Sequence, residues 1–234
     1  MALPDTRVLD TPAMLVGALT NALLDQAAAA IAAHGCFHLV LAGGTTPRAL
    51  FESLARRGAG DRRWHIWYGD ERCLPADDPD RNSVMAETAW LAESGIPFEQ
   101  RRPIPAERGA EAAAVEYAAW LADVPTFDLV LLGMGEDGHT ASLFPGHLWT
   151  GADVLAVHDA PKPPPDRVSL STGRLSDSQA VWFVVTGMGK REALARWEAG
   201  ETLPAASVRG RLATLLWMDR AAAVHSTFFT SNKR

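Results

Sequence analysis

A chain of 234 residues with 47% hydrophobic and 21% charged residues has the composition of an ordinary globular protein, and it reads as one α/β domain over residues 1–234. Its net charge of −6, from 22 basic against 28 acidic residues, argues against nucleic acid or an anionic membrane as partner. A small anionic substrate is still allowed, because a local basic cluster can overrule a global acidic balance.

Asp5, Arg7 and Asp10 precede any apolar run, which is unlike a signal peptide. Thr11 and Pro12 supply an N-cap and a first-turn proline for a helix reaching about Ala33, ended by Gly35. That Ala-rich stretch contains Asn21, Asp25 and Gln26, so it is expected to be amphipathic rather than to span a membrane. Residues 37–42 read as a strand, followed by Gly43-Gly44-Thr45-Thr46-Pro47 and a helix to about Arg57. Residues 64–68 read as a strand running into the loop Gly69-Asp70-Glu71-Arg72, and helices are expected over 82–91 and 109–121.

The apolar run Phe127-Asp128-Leu129-Val130-Leu131-Leu132 reads as a buried strand. Further strands are expected at 154–157, 167–171, 181–185 and 214–218, with a helix over 190–199. Strands alternating with helices predict a mostly parallel sheet with helices on both faces. The proline cluster at 161–165 reads as a stiff loop inside the domain. Cys36 and Cys73 lack metal-site spacing and are expected to be free thiols in a reducing cytoplasm.

The chemistry concentrates where strands run into glycine. Gly133-Met134-Gly135-Glu136-Asp137-Gly138-His139 places His139 in the mouth of a strand–loop junction, where open α/β sheets bind ligands. Its imidazole can take or give a proton near neutrality. Gly133, Gly135 and Gly138 also satisfy G-x-G-x-x-G, but Pro145-Gly146 stops any following helix after about two turns, so a dinucleotide site is not expected. Backbone N–H groups of Gly135 and Gly138 are candidates for an oxyanion site, and Asp137 for orienting His139.

The Gly43-Gly44-Thr45-Thr46-Pro47 loop is the second signal. Thr46 is a candidate helix cap, and the helix N-terminus a candidate phosphate cradle with the hydroxyls of Thr45 and Thr46. Arg48, Arg72, Arg167 and Lys190 all stand at strand–loop junctions, which a parallel sheet can gather at one edge around a phosphate. His34, His38, His65 and His225 read as structural. His147 and His158 lie in loops without a clear partner, and no Cys/His pattern points to a metal.

Several of these segments resemble one family. Residues 41–47, 69–72, 133–146, 161–168, 187–190 and, more loosely, 203–206 are similar, in the same order, to motifs of the glucosamine-6-phosphate isomerase/6-phosphogluconolactonase family. The deaminase branch continues after its D-G-H toward F-N-E-P. Here the chain reads Thr140-Ala141-Ser142-Leu143-Phe144-Pro145, which favours the lactonase branch. The resemblance implies a fold related to those deaminases and to ribose-5-phosphate isomerase. It implies hydrolysis of 6-phospho-D-glucono-1,5-lactone in the oxidative pentose phosphate pathway, without metal or organic cofactor. The chain is separately expected to be a cytoplasmic monomer or weak homo-oligomer. One departure stands out: Thr45 occupies a position that is arginine in some members, where it contacts phosphate. Arg48, Arg72, Arg167 or Lys190 must then supply that charge.

Overall fold

The computed structural model describes residues 3–124 and 126–223; His225 lies outside them. Six strands form a parallel sheet: β1 (Asp5–Leu9), β2 (Phe37–Leu41), β3 (Trp64–Tyr68), β5 (Phe127–Leu132), β8 (Ser178–Val185) and β9 (Ala213–Asp219), in the order β1-β9-β8-β5-β2-β3. Every residue of β2 and β5 is buried, which explains their near-continuous apolar sequence. β1 has no apolar run to announce it, and it pairs with β9 at the sheet edge.

Helix α1 (Pro12–His34) begins where Thr11 accepts from the Met14 N–H and ends at Gly35, whose φ of 90° needs a residue without a side chain. The helix is long and apolar enough to cross a membrane by composition. Its buried apolar residues, however, form one stripe, Leu15, Leu19, Leu23, Ala27 and Ala30, at the spacing of a helix face laid on a core. Helix α2 (Thr45–Arg56) packs on α1, and Thr20 Oγ1 lies 2.9 Å from Ser53 Oγ between them.

The strand register shows that both faces are covered. Phe37 pairs with Trp64 and His38 with His65, so alternate residues face opposite sides. On one face Trp64 meets Trp90, which stacks on Phe51 of α2. On the other, Trp67 meets Tyr117 of α4 (Ala110–Leu121).

A second sheet was not expected. The 69–72 segment, read as a loop, forms strand β4 (Asp70–Arg72), which pairs antiparallel with β7 (Arg167–Leu170); β7 pairs with β6 (Val154–Val157). Charged residues are tolerated in this strand because Asp70 and Glu71 bury into hydrogen bonds. Gly69 hinges the two sheets: its N–H donates to Leu41 O at 3.0 Å, and its carbonyl accepts from the Leu170 N–H at 2.8 Å. Helix α3 (Asn82–Ala89) follows, and short helix α5 (Thr172–Ser176) and α6 (Arg191–Glu198) complete the set.

Strand β3 is one edge of the large sheet; on its outer side Ile66 O accepts from the Arg102 N–H at 2.9 Å, and one phenol serves Tyr68. Tyr117 Oη accepts from the Tyr68 N–H at 2.9 Å and donates to Tyr68 O at 3.2 Å. Tyr117→Phe leaves both buried groups without a partner. It should destabilise the chain by roughly 2–4 kcal/mol, read from urea unfolding midpoints at constant slope; a change below about 0.5 kcal/mol would show the edge to be satisfied otherwise.

Candidate active site

The strand order reverses direction between β2 and β5: β3 lies on one side of β2, whereas β8 and β9 continue beyond β5. Such a switch point opens a crevice at the carboxyl ends of the strands. Here a cavity of about 360 Å³ is lined by Gly43 and Gly44 after β2, Asp70 and Arg72 of β4, Gly133 to Gly135 and His139 after β5, Arg167 of β7 and Lys190 after β8.

His139 is set by its own loop. Its Nδ1 lies 2.6 Å from Asp137 Oδ1, and its backbone N–H donates to the same oxygen at 3.1 Å. Burial raises the Asp137 pKa, but these bonds from His139 outweigh it and hold the carboxyl below the usual range. An ionised acceptor keeps the proton on Nδ1 and leaves the Nε2 lone pair as the free base. The pair exists because residue 135 has no side chain. A Cβ there would fall 2.0 Å from His139 Nδ1 and 2.5 Å from Asp137 Oδ1.

The loop is braced on three sides. Thr140 Oγ1 donates to Gly133 O at 2.8 Å, and Ser142 Oγ donates to Asp70 Oδ2 at 2.6 Å. Gly138, at φ 88°, accepts from the Ala205 N–H and packs on Leu203, where a Cβ would clash at 2.9 Å. Arg196 of α6 donates to Asp137 O at 3.3 Å. No helix follows Gly138; the chain turns at Thr140–Leu143, which removes the dinucleotide reading.

That bracing overturns the expected oxyanion donors. The Gly135 N–H is bonded to His139 O at 2.8 Å, and the Gly138 N–H to Gly135 O at 3.1 Å. Both donors serve the turn and are not available to a substrate.

The expected phosphate ligands divide. Arg72, Arg167 and Lys190 line the cavity; Arg48 does not. Arg48 lies one turn into α2, exposed and paired with Glu52 at 3.2 Å, because helical spacing carries it away from the N-terminus. Thr46 is not the cap: Gly44, at φ 110°, caps α2 without a side-chain bond, and Thr46 Oγ1 lies 2.8 Å from Thr186 Oγ1. Thr45 opens the helix, and neither threonine side chain lines the cavity. The glycines do. Gly43 is needed because a Cβ would sit 2.0 Å from Asn82 Oδ1.

Arg167 is largely buried, and burial lowers the pKa of its guanidinium. Nε donates to Pro164 O at 3.1 Å, and Nη2 to Lys162 O at 2.9 Å and Pro163 O at 3.3 Å. It thereby holds the proline loop, and with it Lys162, against the cavity. Phe144 joins the two halves of the site, 4.8 Å from the His139 ring and 5.7 Å from the Arg167 guanidinium. Lys162, Asn82, Asp70 and Phe144 were not read as site residues from the sequence. Lys162 stood inside a recognised motif, but the prolines around it read only as stiffness.

Glu71 is fully buried and builds the wall behind these residues. Its carboxylate accepts from the Asn82 N–H at 2.7 Å and the Ser83 N–H at 2.9 Å, at the N-terminus of α3, and sits 3.5 Å from Arg81 Nε. Asn82 Nδ2 then donates to Asp70 Oδ1 at 3.1 Å. Among the loop histidines, His158 does have partners: Asp166 at 2.7 Å and Glu111 at 2.9 Å.

Residues 10–217 match the family described as glucosamine-6-phosphate isomerases/6-phosphogluconolactonase. The chain is 39% identical to a 6-phosphogluconolactonase of Mycobacterium tuberculosis over 90% of its length and 93% of that protein. It is 38% identical to the 6-phosphogluconolactonase of Rattus norvegicus, covering 92% and 91% of the two chains. The solved 6-phosphogluconolactonase of Thermotoga maritima superposes with a TM-score of 0.87 at 26% identity, over 92% of this chain and 99% of that one. A monomeric glucosamine-6-phosphate deaminase shares the fold, with a TM-score of 0.81 at 18% identity over 93% and 98% of the chains. With its switch-point cavity, its ordered loops and these relatives, the chain belongs to the glucosamine-6-phosphate isomerase/6-phosphogluconolactonase family.

Proposed function

We propose that the chain hydrolyses 6-phospho-D-glucono-1,5-lactone to 6-phospho-D-gluconate, as a step of the oxidative pentose phosphate pathway, with His139 as general base and no covalent intermediate. The observation that carries this reading is the 2.6 Å His139–Asp137 pair at a cavity also lined by Arg72, Lys162, Arg167 and Lys190. A δ-lactone carries an electrophilic carbonyl, so water suffices as nucleophile once its proton has an acceptor. His139 Nε2 takes that proton as water attacks the carbonyl carbon. The imidazolium, stabilised by ionised Asp137, then protonates the ring oxygen as the C–O bond breaks. Such acid–base help contributes on the order of 10²–10⁴-fold.

The cations do a different job. A phosphate dianion held by Lys162, Arg167 and Lys190, and by the positive end of α2 at Gly44, fixes the sugar relative to His139. The charge that Thr45 cannot supply then comes from side chains on other loops.

His139→Ala should lower kcat by roughly 100-fold or more while leaving the circular dichroism spectrum unchanged. Near wild-type turnover, after subtraction of spontaneous hydrolysis, would remove the proposed base. Gly135→Ala should act in the same direction, because its added methyl group displaces Nδ1 from Asp137. A Gly135→Ala enzyme with full kcat would show that the pair is dispensable.

Lys190→Ala and Arg167→Ala should mainly raise KM, by about tenfold or more, and Arg48→Ala should leave KM within about twofold. An Arg48 effect equal to that of Lys190 would relocate the phosphate. Release of ammonium from glucosamine 6-phosphate, with no lactone turnover, would replace the reading with the deaminase one.

A further inference from the structure

The carboxyl end of the large sheet holds a buried carboxylate that the proposed reaction does not use. Asp219 is the last residue of β9, is 2% exposed, and does not line the cavity. A carboxylate is costly to bury unless its oxygens are bonded. Its Oδ1 accepts from two backbone N–H groups, that of Gly187 at 3.0 Å and that of Ala222 at 2.8 Å. The bond from Ala222 is local and closes the turn after β9, as aspartate side chains commonly do. The bond from Gly187 reaches across to the exit of another strand.

Strand register brings the two together. β9 runs parallel to β8, with Met218 opposite Val185, so Asp219 stands beside the residues that leave β8. There Gly187, at φ 89°, precedes the short turn Met188–Lys190, and the Lys190 N–H donates back to Gly187 O at 3.3 Å. A Cβ on Gly187 would meet nothing within 4 Å, so the glycine is required by its backbone angle and not by space. The peptide that Asp219 grips is thus the start of the turn that bears Lys190.

Two further contacts hold this segment. Arg191 Nε donates to Ala221 O at 2.8 Å, and Thr186 Oγ1 lies 2.8 Å from Thr46 Oγ1 in the first turn of α2. Residues 186–191 are therefore tied both to α2, whose capping Gly44 lines the cavity, and to the turn after β9. A lysine carries its charge on a flexible stem, so its ammonium is aimed chiefly by where its backbone is held.

We propose that Asp219 is a positioning residue for Lys190: by holding the Gly187 N–H it fixes the turn that presents the ammonium to the substrate's phosphate, and it sets substrate affinity without touching substrate. This inference rests on the reading of Lys190 as a phosphate ligand given above.

The test is a double-mutant cycle on the full chain, with each variant first shown to keep the wild-type circular dichroism spectrum. Asp219→Ser is the variant of choice. Its shorter hydroxyl can still cap the turn through the Ala222 N–H, which protects folding, but falls short of Gly187. KM for the lactone and the calorimetric Kd for 6-phospho-D-gluconate should each rise about fivefold, with kcat within about twofold. In a Lys190→Ala background the same change should move KM by less than about twofold, because the group being aimed is gone. Asp219→Asn keeps an acceptor oxygen of the same reach and should restore KM to within about twofold of wild type. An unchanged KM in Asp219→Ser, an equal effect in both backgrounds, or failure of Asp219→Asn to restore KM would overturn the proposal. Lys190→Ala separates the two readings. If it leaves KM and Kd unchanged, the phosphate assignment falls and the positioning role with it; if it raises both while Asp219→Ser does not, the positioning role alone is lost.

Discussion

The site depends on a missing methyl group. Position 135 can carry no Cβ without displacing the His139 ring from the Asp137 carboxylate. The hydrogen bond between them, at 2.6 Å, sets the tautomer of the imidazole and hence which nitrogen is a base. The glycine of this loop thus makes room for a side-chain pair rather than for a cofactor's phosphates. The same local pattern that imitates a dinucleotide fingerprint holds a histidine–aspartate pair, and its N–H groups close the turn instead of facing a ligand.

Around that pair, function is separated between rigid and charged parts. The 133–143 segment is tied to β4 through Ser142 and Asp70, and to the 203–205 turn through Gly138. Arg167 is locked by three carbonyls of the proline loop. A buried guanidinium with such partners is a fixed point, to which Lys162 and Lys190 add compact ammonium charges at the cavity wall. Phe144 lies against both His139 and Arg167, so the spacing between the imidazole and the guanidinium is set by one packed ring.

Much of the architecture was legible because hydrophobic periodicity reports burial. The all-buried strands β2 and β5, the caps of α1 and the glycine-rich ends of the strands could each be read from neighbouring residues. Strand β4 could not, since Asp70-Glu71-Arg72 is a sequence that alone reads as a solvated loop. Its charges are acceptable only because Glu71 finds the α3 N-terminus and Arg81, and Asp70 finds Asn82 and Ser142. Strand β1, with Asp5 and Arg7, was hidden for a similar reason: its partner β9 lies some 200 residues away in the chain.

What the sequence by itself determined is the chemistry on offer: an imidazole in a glycine-rich strand exit, a glycine pair before a helix, and cations at the junctions. These follow from local rules, because turns, caps and strand ends are decided by a few adjacent residues. Which cations face the cavity was decided only by the tertiary structure. Arg48 is removed by one turn of helix, whereas Lys162 is delivered by a loop that Arg167 holds. The same is true of the Gly135 and Gly138 donors. Each is fixed by contacts between atoms whose positions depend on how the chain closes, and no spacing along the sequence encodes such distances.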